Sequence, residues 1–206
     1  MLADGPARAL VVTTLAVSVV GAVAEAGGYL LGWPDRWASA LSLSYEGNAP
    51  TWYASSLLIL CAAALASCAA RATQDRGAWG ALAALFAFLS LDEAIELHEH
   101  LGGLVPGRGA LFFSWVIPAS VVVGVVGLAF ARFLGRLDAI DRRRFVIAGA
   151  LYVGGALAME LPLGWWTERE GDDNLVYGML DWVEETLELA GATLFLVALR
   201  ARLARR

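Results

Sequence analysis

Two short stretches of this sequence concentrate the residues that could do chemistry. Leu91-Asp92-Glu93-Ala94-Ile95-Glu96-Leu97-His98-Glu99-His100 carries Asp92, Glu93, Glu96 and Glu99 with two imidazoles, and Leu180-Asp181-Trp182-Val183-Glu184-Glu185-Thr186-Leu187-Glu188 carries Asp181, Glu184, Glu185 and Glu188. At about 100° per helical residue, Asp92, Glu93, Glu96, Glu99 and His100 fall within roughly a third of one circumference, while His98 points away. The second stretch makes a similarly narrow arc. Aligning Asp92 with Asp181 also aligns Glu96 with Glu185, Glu99 with Glu188 and Gly102 with Gly191. Two further glutamates, Glu25 and Glu160, stand alone inside apolar stretches.

Carboxylates in this arrangement point to cation chemistry. Dinuclear sites of ferritin-like bundles take one Glu from each of two helices and a Glu-x-x-His pair from each of two others. Here Glu25 and Glu160 would be the single glutamates, and Glu96-x-x-Glu99, with His100, and Glu185-x-x-Glu188 the pairs. Asp92, Glu93, Asp181 and Glu184 would orient the ligands. A ligand set this rich in oxygen suits iron or manganese, and suits calcium or magnesium if histidine does not bind. The absence of true Glu-x-x-His pairs leaves both the metal and its redox chemistry open.

The elements that must position these residues are membrane helices. The chain has 206 residues, 59% hydrophobic and only 17% charged, with a mean hydropathy of +0.63. Several stretches approach the roughly 20 apolar residues that cross a bilayer. Six are read: 9–33, 52–70, 77–100, 110–131, 145–165 and 175–199. They predict an all-α polytopic helix bundle, one transmembrane domain over residues 1–206, with a lipid bilayer as its surroundings. No nucleic-acid partner is expected. Arg8 followed by an apolar run and Ala22-Val23-Ala24 imitates a cleavable signal peptide, but apolar residues continue past Glu25 to Trp33, which suits a spanning helix better.

Arginine placement orients the bundle. The N-terminus, second and fourth loops and C-terminus hold twelve of the fifteen arginines; the first, third and fifth loops hold Arg36, Arg108 and Arg169. Basic residues are retained in the cytoplasm, so both termini are expected inside. Trp33, Trp37, Trp52, Trp165 and Trp166 then fall beside the outer interface, where indole is favoured. Of twenty carboxylates only Asp4, Asp75, Asp138 and Asp141 lie on the inner side.

An ionised residue at membrane depth costs roughly 2.5 to 3.5 kcal/mol even on the insertion scale. The acids must therefore be protonated, reached by water or neutralised by a cation. The bland alternative is that the third and sixth helices extend beyond the bilayer into water, which fits Glu25 and Glu160 poorly. Pro118 and Pro162 are expected to kink their helices. Cys61 and Cys68, seven apart on one helix and about 10 Å apart by rise, cannot bridge and are expected to pack as small apolar residues.

The chain has no lysine, which excludes a retinal-type Schiff base and any lysine nucleophile. No nucleophilic serine motif, phosphate loop or Cys-x-x-Cys occurs. The leading expectation is a membrane-embedded metal-binding protein, a di-iron or di-manganese type oxidoreductase acting on a hydrophobic small molecule or lipid from the periplasmic side. One alternative is a cation or proton-coupled transporter or channel using the same carboxylates, disfavoured because the inner half offers little polarity beyond Thr13, Thr14, Ser18 and Thr193. Another is a non-catalytic membrane assembly partner.

The segments Tyr45-Glu46-Gly47-Asn48-Ala49-Pro50-Thr51-Trp52-Tyr53, Ser90-Leu91-Asp92-Glu93 to His98-Glu99, and Glu184-Glu185-Thr186-Leu187-Glu188 together resemble a group of uncharacterised bacterial multi-pass integral membrane proteins. The resemblance spans nearly the whole chain. It implies a bacterial inner-membrane setting and no mechanism. The Glu46 to Tyr53 segment is read as an interfacial turn rather than a lid.

Overall fold

A computed structural model describes residues 5–97 and 107–205. Among them the chain forms seven helices and no strand: α1 (Gly5–Leu31), α2 (Asp35–Leu41), α3 (Ala49–Arg71), α4 (Arg76–Ile95), α5 (Val116–Arg136), α6 (Ala139–Glu170) and α7 (Leu175–Ala204). Helices α1, α3, α4, α5 and α6 are each long and apolar enough to cross a membrane. The sixth apolar stretch of the sequence is α7, whose 30 residues give about 45 Å of length but carry all four acids of the second stretch.

Helix α7 is the central element, packed against α1, α3 and α6, while α4 packs on α3. Close approach is built from small residues, as membrane helix pairs require. A β-carbon on Gly191 of α7 would meet the Tyr152 backbone nitrogen at 2.6 Å. The buried core runs along Leu57, Cys61 and Leu65 of α3 and Leu189, Leu196 and Leu199 of α7. Both cysteines are free and buried, as expected, and the Cys61 thiol donates to the Ala192 carbonyl at 3.5 Å. On α5, by contrast, Val121, Val122, Val125 and Leu128 are exposed.

The hydroxyls of the apolar helices are spent on one another. Thr14 bonds Thr193 at 2.6 Å and Tyr53 at 2.8 Å, and Ser18 bonds Thr186 at 2.6 Å. These bonds fasten α1 to α7 and α3, the polar glue of membrane bundles. At the end of the bundle where the helices are joined by basic loops, Arg202 of α7 reaches Asp141 of α6 at 2.5 Å and lies 4.7 Å from the Trp79 ring centroid.

Two helices depart from the sequence expectation. Helix α4 stops at Ile95, so the third stretch does not run to residue 100 as one helix. Glu96 adopts the left-handed conformation (φ 56°) and its N–H closes on the Asp92 carbonyl. Asp92 and Glu93 already occupy the last turn, where the helix dipole disfavours negative charge, and continuing would add Glu96 and Glu99 to it. The acids of α7 lie in its N-terminal half and meet no such penalty. The expected parity between the two motifs therefore holds in sequence but not in helix length.

In α6, Gly154–Met159 form a π-helical turn directly before Glu160. Pro162 cannot donate to the carbonyl four residues back, and a widened turn is one way a helix absorbs that loss. Pro118 falls in the first turn of α5, where its missing N–H has no intrahelical partner to lose. The Glu46 to Tyr53 segment is a turn and helix start: Gly47 takes φ +66°, Asn48 caps α3 by accepting from Thr51 N–H at 3.1 Å, and Pro50 sits in the first turn.

Candidate functional site

The acids gather around the N-terminal half of α7 in three places rather than one. On its first flank, Glu25 of α1 is 2% exposed and accepts the Ser42 hydroxyl. Its carboxylate lies where a β-carbon on Gly178 of α7 would be, 1.8 Å from Oε1. Only glycine at 178 leaves room for it. Ser44, two residues after Ser42, donates to the Gly178 carbonyl at 3.1 Å. The short α2 and the turn after it thus close over Glu25. Burial and the nearby Glu25 charge together push the Tyr45 phenol in this turn above its usual range.

On the second flank, the π-turn of α6 delivers Glu160 to the base of α5. There Glu160 Oε1 accepts the indole N–H of Trp115 at 2.9 Å. Glu160 also faces Glu184 of α7. Glu184 is 7% exposed, and its Oε2 is buried without a hydrogen-bond partner among the described residues. Tyr177 and Asp181 lie on the same side, toward the acidic loop that holds Asp172.

On the third flank, Glu93 of α4 meets Glu185 and Glu188 of α7 around a small pocket. Tyr152 of α6 completes it, with a side-chain hydrogen bond to Glu188. The remaining walls are the aliphatic side chains of Ala54 and Leu58 on α3 and Leu189 and Ala192 on α7. Among the described residues, no arginine lines this pocket.

The predicted residues divide accordingly. Glu185 and Glu188 share one pocket, joined by Glu93, which sequence spacing assigned an orienting part. Glu160 pairs with Trp115 and faces Glu184 instead. Glu25 reaches α7 at Gly178, about two turns N-terminal to the pocket along the helix. Glu96 leaves the helical arc at the α4 terminus, one residue beyond Ile95. Asp92 uses its carbonyl to end α4, and Asp181 stands with Tyr177 and Glu184. Glu99 and His100 lie outside the described residues. Among the described residues, no three His, Cys, Asp or Glu side chains assemble into a metal-binding group.

Four residues of these sites had no sequence signal. Ser42, Trp115, Tyr152 and Tyr177 each come from a different part of the chain, and nothing in their local spacing ties them to a carboxylate. What they share is chemistry. Ser42, Trp115 and Tyr152 are neutral donors, so each orients a carboxylate without cancelling its charge.

No curated protein and no solved structure matches the chain. A family model described as a domain of unknown function, DUF8692, matches residues 8–203, and the chain belongs to that family.

Proposed function

We propose that this protein crosses a bacterial inner membrane six times, with both termini in the cytoplasm, and that its outer-half carboxylates bind and release protons or a small cation to drive transport. Five apolar helices plus α7 make the six spans. The arginine distribution supports the orientation. The observation that carries the functional reading is the pocket of Glu93, Glu185, Glu188 and Tyr152: three carboxylates from two helices, walled by aliphatic side chains and, among the described residues, by no basic one. Carboxylates at such depth persist by holding a proton or a cation or by being reached by water, and the aliphatic walls of this pocket favour the first two. Neutral hydrogen-bond donors around Glu25, Glu160 and Glu188 leave that capacity intact.

The test is proton flux in vesicles reconstituted with purified protein and an entrapped pH dye. Wild type is expected to dissipate an imposed pH gradient, and the Glu185→Gln/Glu188→Gln double variant to lose that activity. Equal rates in the two proteins, or no flux in either, would end this reading.

A second reading is a carboxylate-bound metal centre, of iron or manganese, with oxidoreductase chemistry on a hydrophobic substrate entering from the periplasmic side. It is favoured by the convergence of Glu93, Glu185 and Glu188 on one pocket. Elemental analysis of detergent-purified wild type beside Glu185→Gln separates it from the first. Stoichiometric metal lost in the variant supports the metal centre, and no metal in either after reconstitution removes it.

A further inference from the structure

Asp181, Glu184 and Glu188 occupy positions i, i+3 and i+7 of α7, a spacing that places them on one stripe of the helix. Rises of about 4.5 Å and 6 Å separate them along the axis. The stripe has distinct ends. Asp181 stands beside Tyr177, on the side of the exposed loop holding Asp172. Glu188 lines the pocket. Glu184 lies between, 7% exposed, with an Oε2 that no donor or acceptor among the described residues satisfies. Buried carboxyl oxygens are rarely left so, because an unmet polar group gives up its hydration for nothing in return. A group that must give up one partner and take another fits this oxygen.

The charged groups around Glu184 are few. Glu160 faces it from α6, Asp181 and Glu188 from α7 itself, and Glu25 of α1 lies further out, against Gly178. Glu160 Oε1 is fixed as an acceptor, since the Trp115 indole can only donate. Among the described residues, the charged groups acting on Glu184 are thus all acids, and none of them can neutralise it.

We propose that Glu184 is a proton-transfer station that carries protons between the outer surface and the carboxylate pocket. This rests on the reading of that pocket as a proton-binding site. In each cycle a proton leaves the Glu184 carboxyl as the Glu188 carboxylate takes it up, directly or through one water. Glu184 then regains a proton from Asp181, and Asp181 from water at the outer loop. No oxidant, cofactor or counter-charge is required.

The test is infrared difference spectroscopy of the detergent-purified full chain after an acid jump, with the Glu188 carboxyl band identified by its loss in Glu188→Gln. In wild type the band is expected to form rapidly. In Glu184→Gln it should reach the same amplitude but form roughly a hundredfold more slowly, the scale on which a positioned acid or base acts. Glu184→Asp should restore most of the rate. Asp181→Asn gives an independent slowing if the Glu184 variants fold poorly. A Glu188 band that forms at the wild-type rate in both Glu184→Gln and Asp181→Asn overturns the relay alone. The absence of any Glu188 band between neutral and acid pH overturns the relay and the pocket reading together.

Discussion

Gly155 of α6 stands so close to α7 that a β-carbon on it would come within 2.8 Å of the Glu184 carbonyl oxygen, and equally close to Glu188 Cγ. The contact is made by backbone on one side and by a pocket residue on the other. It holds the π-turn of α6 against the acid-bearing part of α7, and so fixes both Tyr152 before it and Glu160 after it.

Gly155→Ala should therefore loosen the site and the bundle together. The methyl group cannot be absorbed by a rotamer change, because the nearest atom is a carbonyl oxygen. Overpacking of this kind costs about 1 to 3 kcal/mol, read as a lower melting temperature in detergent. Gly149, with open space at its Cβ position, is the control: Gly149→Ala should leave melting unchanged or raise it slightly. Equal melting temperatures for the two variants would contradict the close contact.

The opposite end of α6 makes a second prediction. Asp141 is fully buried between Arg202 and Arg205, and Arg202 stacks over Trp79. Asp141→Ala leaves the Arg202 guanidinium, 7% exposed, without its carboxylate. Breaking a buried pair from one side costs about 3 to 5 kcal/mol. Arg205→Ala should cost far less, because that side chain is 45% exposed and exposed pairs contribute about 0 to 1 kcal/mol. The ratio of the two losses in denaturant or thermal unfolding checks the assignment.

Asp138 predicts an acid dependence. Its carboxylate accepts the Asp141 N–H at 2.9 Å as the N-cap of α6. That backbone bond, helped by the charges of Arg205 and Arg202, holds its pKa below the ordinary carboxylate value. A depressed native pKa means stability that is fully present above about pH 4 and is lost as pH falls through the lower native value. Melting measured down that acid range should fall in wild type and fall less in Asp138→Asn. Asparagine keeps the cap without a titrating group, whereas Asp138→Ala should lose about 1 kcal/mol near neutral pH, a deficit that shrinks as wild type loses its own carboxylate contribution in acid.

How far these sites could be read from sequence depends on the range of the interaction. Hydropathy placed all six long helices, because a continuous apolar run is a local property. The stripe on α7 was legible for the same reason: Asp181, Glu184 and Glu188 are neighbours by helical spacing alone. The end of α4 at Ile95 was not, since Glu96 takes a left-handed conformation that glutamate rarely adopts. Nor could spacing show that Gly178 leaves room for Glu25, or that a tryptophan at the start of α5 holds Glu160. Those contacts join residues from different helices, and an apolar sequence carries no mark of which helices touch.

Glu25 provides the last prediction, because its surroundings separate charge from shape. The Ser42 hydroxyl donates to it, and Gly178 leaves space for the carboxyl and nothing larger. Glu25→Gln keeps the volume and one acceptor oxygen, so its fold should survive with a loss within about 1 kcal/mol. Ser42→Ala strands a buried carboxyl oxygen and should cost about 1 to 3 kcal/mol. Gly178→Ala puts a methyl group where the carboxyl lies, so the Glu25 side chain must move and its bond with Ser42 should be lost. If Glu25 serves only packing, Glu25→Gln reconstituted in vesicles will dissipate a pH gradient at the wild-type rate. If its charge takes part in ion binding, flux will fall while the melting temperature stays near wild type, a split that a purely structural residue would not produce.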